Sequence, residues 1–136
     1  RDKLVTGVQT CALPIFLAPV ERSVVRWDDA KSLANIDRFR RISRAAAAQC
    51  RRVFLPVIEG PVPLSDVLAG TNVAIAEPGG SPVLDGVTTI VVGPEGGFTE
   101  GEVALAGATV DLGPTVLRAD TAAVVAATLM VAHSRR

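Results

Sequence analysis

Soft metal ligands are scarce in this chain. Its 136 residues hold one histidine, His133, and two cysteines, Cys11 and Cys50. Two cysteines cannot frame a disulfide scaffold or a zinc site, and one histidine adds too little for a transition metal. No metal is therefore expected. No apolar run reaches the roughly 18 residues that a membrane-spanning helix needs, so no membrane partner is expected either. The N-terminus opens Arg1-Asp2-Lys3 and continues LVTGV, without the long apolar core of a signal peptide. Neither sign of charge is in excess: 14 basic residues face 14 acidic ones. Whole-chain charge thus points to no polyanionic partner. Charged residues make up only 21% and hydrophobic ones 49%, which is globular rather than disordered composition. The expectation is a cytoplasmic protein with a single core.

The charge is unevenly placed. Residues 21–52 carry nine bases against four acids, whereas residues 53–117 carry eight acids and no base. Two readings stand. The blocks attract one another or face water, or the basic block offers a local surface to a polyanion. Arg38, Arg41, Arg44, Arg51 and Arg52 are the candidates for the second reading.

Hydrophobic spacing outlines the elements. FLAPV (16–20) reads as a short buried strand. Residues 31–51 read as the longest helix, with Ile36, Phe39, Ile42, Ala46 and Cys50 forming one apolar stripe. VFLPVI (53–58) reads as a strand ended near Pro56. PLSDVLA (63–69) fits a short helix, and NVAIA (72–76) a strand followed by the breaker loop EPGGSP. VTTIVV (87–92) is continuous and β-branched, as in a strand buried on both faces. Thr99 and Glu102 have capping-box spacing, which predicts a helix from there to about Ala106. TVDL (109–112) makes a last strand. The almost wholly apolar stretch 119–132 predicts a helix buried against a sheet or a partner subunit. Strands alternating with helices predict an α/β fold: a mostly parallel sheet with helices on both faces. Ligands of such sheets sit beyond the carboxyl ends of the strands.

Two loops fall at such ends. The first is Gly93-Pro94-Glu95-Gly96-Gly97-Phe98. Its glycines let backbone groups approach a ligand closely; a plain tight turn is the alternative. No lysine follows, and Glu95 repels anions, so a phosphate cradle fits poorly. A neutral or cationic ligand suits the loop better. The second runs from Leu112 through Gly113, Pro114, Thr115, Val116 and Leu117 to Arg118, Ala119, Asp120 and Thr121. Arg118 is the only base between Arg52 and Arg135. It either pairs with Asp120 or Glu95 or serves a ligand.

VVGPEGGFTEGE followed by LGPTVLRADTA resembles the paired cofactor loops of the RsmE-type ribosomal RNA uridine methyltransferases, members of the SPOUT class. ERSVVRW, the helix ending AAAAQCRR and the LP after it are also similar to that family's C-terminal domain. The resemblance covers roughly residues 17–136. It implies a sheet with a C-terminal trefoil knot, a homodimer, and S-adenosylmethionine (SAM) held by Gly93, Pro94, Glu95, Gly96, Gly97, Leu112, Gly113, Val116, Leu117 and Arg118. The implied reaction is methyl transfer to N3 of a uridine in the 16S RNA of the small ribosomal subunit. N3 must lose a proton and its negative charge then spreads onto the base carbonyls. Arg118 can stabilise that charge, and Glu95 or Asp120 can take the proton, directly or through water. Asp120 stands where the family usually has Glu, one methylene longer.

Residues 1–15, RDKLVTGVQTCALPI, do not continue the family pattern. VTGVQTCALPI resembles a translated sequencing adapter, so this segment is expected to be non-native. Residues 16–136 are then the SPOUT methyltransferase domain, without its first helix and without the PUA-like RNA-binding barrel. Trp27 among basic residues reads as packing or as a stacking platform. His133 reads as solvated and Cys50 as core. Two alternatives stay open: a SPOUT methyltransferase for another RNA position, such as a tRNA ribose 2′-OH, and a non-catalytic dimerising α/β module.

Overall fold

A computed structural model of the chain describes residues 14–24, 28–82 and 84–134. Trp27, Cys11 and residues 1–13 of the segment set apart above lie outside these. Two compact units divide the chain: residues 1–17 with 27–60, and residues 18–26 with 61–136.

In the first unit, strand β1 (Ile15–Phe16) pairs in parallel with β2 (Ile58–Glu59). Helix α1 (Asp29–Gln49) lies between them in sequence. The Asp28 carboxylate caps its start by accepting from the Lys31 amide at 2.8 Å, which satisfies one of the orphan donors of the first turn. The buried stripe of α1 differs from the one expected. It runs through Ser32, Ile36 and Ala47, with Phe39 and Ser43 half-buried, while Ile42, Ala46 and Cys50 are exposed. Serine and alanine mark this face, so apolarity alone misplaced it, and Cys50 is not a core residue. The helix closes with the Arg52 amide bonded to the Ala47 carbonyl and the Arg51 amide to that of Ala48. This is the double closure usually built on a left-handed glycine, yet Arg51 occupies that position with φ 54°. Arg40 donates to the Ile58 carbonyl at 3.2 Å and so ties α1 to β2. The expected strands 16–20 and 53–58 shrink to two residues each. Val53, Phe54, Leu55 and Val57 are exposed, outside the two-residue register of β1 with β2.

The second unit holds α2 (Leu64–Leu68), β3 (Val73–Ser81), β4 (Thr89–Val91), α3 (Glu100–Ala106), β5 (Thr109–Val110) and α4 (Ala119–Ser134). Its sheet has the order β4-β3-β5, all parallel. Alternation along β3 sets the core. Val73 and Ile75 pack with Leu64 and Leu68 of α2 and with Phe98 and Ala106, while Ala74 packs on the other face with Leu84 and Val110. Ile75 and Val110 are fully buried, worth about 1.5–3 kcal/mol each.

Three expectations change here. β3 continues through Glu77-Pro78-Gly79-Gly80, which read as a breaker, because the strand bulges between Ala76 and Ser81 and re-pairs with Val110. Gly80 permits this: a Cβ there would lie 2.8 Å from the Val110 backbone. β4 is half-buried rather than enclosed on both faces, since it lies at the sheet edge. Among its described residues helix α4 buries only Ala122 and Ala126, and Val124 is 67% exposed. The capping box of α3 forms as expected, with the Thr99 hydroxyl and the Glu102 carboxylate each bonding the other's backbone amide. No helix among the described residues is long and apolar enough to cross a membrane.

Candidate methyl-donor cleft

Strands β3, β4 and β5 all point their carboxyl ends toward one cleft of about 320 Å³ in the second unit. Ligands of parallel sheets bind at this edge because the loops that leave it diverge and expose backbone groups. One wall is the glycine loop, Gly93 to Gly97, with Phe98 behind it. The facing wall is Leu112, Thr115, Val116 and Leu117, continued by Ala119 and Ala122 of α4. The two turns singled out in the sequence therefore enclose one space.

The glycine loop is a formed turn. The Gly97 amide donates to the Pro94 carbonyl at 2.9 Å, and Gly97 adopts φ 68°, a conformation a side chain would resist. The second loop is braced by Asp111. Its carboxylate accepts from the amide of Gly113 at 2.9 Å and from that of Gly79 at 3.2 Å. One side chain thereby ties β3 to the turn after β5.

Of the expected site residues, Gly93, Pro94, Glu95, Gly96, Gly97, Leu112, Val116 and Leu117 line the cleft. Gly113, Arg118 and Asp120 are not among its lining residues. Arg118 pairs instead with Asp120, Nε to Oδ1 at 3.6 Å, and its side chain is 80% exposed. The Asp120 carboxyl is held below its ordinary range by the Thr121 backbone amide first, then by the Thr121 hydroxyl and Arg118. Asp120 is thus a weaker proton acceptor than a free carboxylate, whereas Glu95 stands in the cleft wall. The basic residues Arg38, Arg41 and Arg44 lie exposed on α1, and Arg51 and Arg52 lie just beyond it. Arg38, Arg41 and Arg44 are without an ion-pair partner among the described residues.

The sequence reading missed Arg22, Glu77, Pro78 and Asp111, all cleft-lining. Asp111 was legible, since an aspartate two residues before a turn glycine bonds that turn's backbone. Glu77 was hidden by the reading of EPGG as a breaker. The cleft holds three carboxylates, Glu77, Glu95 and Asp111, against one base, Arg22. That balance suits a ligand with positive charge rather than a phosphate.

A sequence model of the RNA methyltransferase domain matches residues 6–131, which includes part of the segment set apart in the sequence. The chain is 39% identical over 131 residues to the ribosomal RNA small subunit methyltransferase E of Mycobacterium bovis, covering 82% of this chain and 50% of that protein. It is 29% identical over 143 residues to the protein of the same name from Rickettsia conorii, covering 93% and 58%. The chain thus spans about half the length of these curated relatives. Among solved structures, a methyltransferase of Legionella pneumophila with SAM bound superposes with a TM-score of 0.80 at 28% identity, over 89% of this chain and 55% of that one. With the family's sequence model running over nearly its whole length, the chain belongs to the RNA methyltransferase domain family.

Proposed function

We propose that residues 16–136 form an RsmE-type domain that transfers a methyl group from SAM to N3 of a uridine in 16S ribosomal RNA. The observation that carries this reading is the single cleft walled by both loops, Gly93–Gly97 and Leu112–Leu117. Its contents fit a sulfonium nucleoside. The walls are backbone and aliphatic surface, and the acidic groups Glu77 and Glu95 face the same space as the closing loops. A cationic methyl donor is stabilised there by Coulomb attraction that a phosphate ligand would turn into repulsion. The names of the curated relatives support the ribosomal substrate.

SAM, when bound, supplies an electrophilic methyl group on a cationic sulfur. The chain supplies position: the two loops fix the donor, and much of the rate comes from holding the acceptor in line. Glu95 is the better placed proton acceptor for uridine N3, because it lines the cleft while Asp120 is spent on Thr121 and Arg118. Arg118 lies one residue beyond the cleft-lining Leu117. Release from its exposed pair with Asp120 costs little, because water and salt screen such pairs. It is then available to the carbonyl oxygens of the ionised base.

Arg38, Arg41 and Arg44 repeat every three residues along α1, so like charges neighbour one another at a small cost in helix stability. With Arg51 and Arg52 they make a phosphate-binding strip for the RNA. The exposed apolar side chains of α4, Val124 and Leu129, support a homodimer, and a ribosomal RNA substrate is in keeping with a cytoplasmic protein. The C-terminal trefoil knot belongs to the same proposal. Calorimetric titration with SAM, followed by mass analysis of nucleosides from treated 16S RNA, tests the reading. Binding with 3-methyluridine as product upholds it. No heat with SAM favours a non-catalytic module, and a ribose-methylated product moves the acceptor.

A further inference from the structure

Arg22 is the only base in the cleft wall among the described residues. The turn that carries it is closed on itself and anchored at two points. Val20 and Ala18 pack against the Leu64–Ile75–Phe98 core. The Ser23 amide closes the turn on the Val20 carbonyl at 3.0 Å. The Glu21 amide donates to Glu102 Oε1 at 3.0 Å, while Glu102 Oε2 accepts from Thr99. One carboxylate therefore closes the α3 capping box and clips this turn to the same helix. From that fixed base the Arg22 side chain reaches the glycine loop, donating from Nη1 to the Gly96 carbonyl at 3.3 Å. The backbones also meet: a Cβ on Gly96 would stand 3.3 Å from the Arg22 Cβ and carbonyl oxygen.

The Gly96 carbonyl and the Gly97 amide belong to one peptide plane. Its N–H is held by Pro94 at 2.9 Å and its C=O by Arg22. Glycine on both sides leaves such a plane free to rotate, because neither residue has a Cβ to resist the change in φ and ψ. Two hydrogen bonds on opposite ends of the plane remove that freedom.

We infer that Arg22 is a positioning residue for the methyl-donor loop: by holding the Gly96 carbonyl it locks the Gly96–Gly97 peptide plane of the cleft wall in one orientation. The loop then meets its ligand without first being ordered, and preorganisation of this kind appears as affinity. The inference rests on the proposed SAM site for its ligand but not for its geometry, and the test separates the two.

The full chain is prepared as wild type, Arg22→Met and Arg22→Lys. Methionine keeps much of the aliphatic stem and loses the donor; lysine keeps a donor. The exchange rate of the Gly97 amide, measured without ligand, is expected to rise about tenfold in Arg22→Met, the scale of losing one charge-assisted hydrogen bond at a partly solvated site. The Val110 and Ala106 amides are expected to be unchanged, and Arg22→Lys to restore most of the Gly97 protection. In calorimetry the Arg22→Met chain is expected to bind SAM about tenfold more weakly, with Arg22→Lys within threefold of wild type. Unchanged Gly97 exchange in Arg22→Met overturns the inference. So does equal loss of protection at Gly97, Ala106 and Val110, which marks general destabilisation. If the wild type binds no SAM but Gly97 responds as described, the methyl-donor reading fails and the lock on the peptide plane stands.

Discussion

Replacing Gly93 with alanine tests how the glycine loop is built. A Cβ at this position would lie 2.7 Å from Cε2 of Phe98, 3.0 Å from Cζ and 3.1 Å from Cδ2. Carbon atoms in favourable contact stand about 3.5–4.0 Å apart, so the ring would have to retreat by roughly an ångström. It has little room. Phe98 is 7% exposed and packs in the cluster of Leu64, Leu68, Val73, Ile75 and Ala106. Forcing an extra methyl into such a core costs about 1–3 kcal/mol. At this chain length each kcal/mol lowers the midpoint by about 4 °C, so a fall of about 4–12 °C is expected in a thermal melt. Phe98→Leu removes the colliding ring edge. The double variant is therefore expected to lose less than the two single variants together, a coupling that a double-mutant cycle reads directly. An unchanged melt for Gly93→Ala, or strict additivity with Phe98→Leu, would refute the claim that this glycine is fixed by the ring beneath it.

Three further outcomes follow from the same structure. Burial raises the Glu102 carboxyl, but the amides of Glu21 and Thr99, the Thr99 hydroxyl and the Arg22 charge outweigh it, leaving the group below its ordinary value. A carboxyl depressed in the folded state stabilises it above the unfolded value, about 4.3 for glutamate, and loses that contribution as pH falls through the folded one. Glu102→Gln is expected to flatten this acid limb of a urea-unfolding series, and an unaltered limb would discount the clip. Arg51→Gly is expected to stabilise the chain by about 1 kcal/mol, since it relieves roughly 1–2 kcal/mol of left-handed strain and adds less in unfolded entropy; a lower urea midpoint would contradict that. Changing Arg38, Arg41 and Arg44 together to glutamine is expected to make the log–log salt dependence of RNA binding shallower by about 2, at roughly 0.7 per phosphate contact, and an unchanged slope would return them to the solvated surface.

Much of the second unit was legible because local chemistry and tertiary need coincide there. Thr99 and Glu102 sit three residues apart and close the box their spacing specifies. The glycine loop and the Leu112–Leu117 turn were found as punctuation after apolar runs, and parallel order brought them to one edge. The errors have physical causes. EPGG read as a break because glycine and proline usually interrupt strands, but Gly80 is there to let the Val110 backbone come close. The α1 stripe was partly misplaced: Ile36 is buried as expected, but the same face carries Ser32 and Ser43, polar residues that no hydrophobic period detects. Of the two readings the sequence left open for Arg118, the pair with Asp120 is the one formed here, and spacing alone could not choose between them because it does not encode side-chain direction. Arg22 escaped because its partner lies 74 residues away.

The central claim is that two turns separated in sequence form one site for one cationic nucleoside. Amide chemical-shift mapping during a SAM titration tests it most directly. The account predicts that the amides of Gly93–Gly97 and of Leu112–Leu117 shift together and saturate along a single binding curve. Shifts confined to one of the two turns, or none at either, would contradict it.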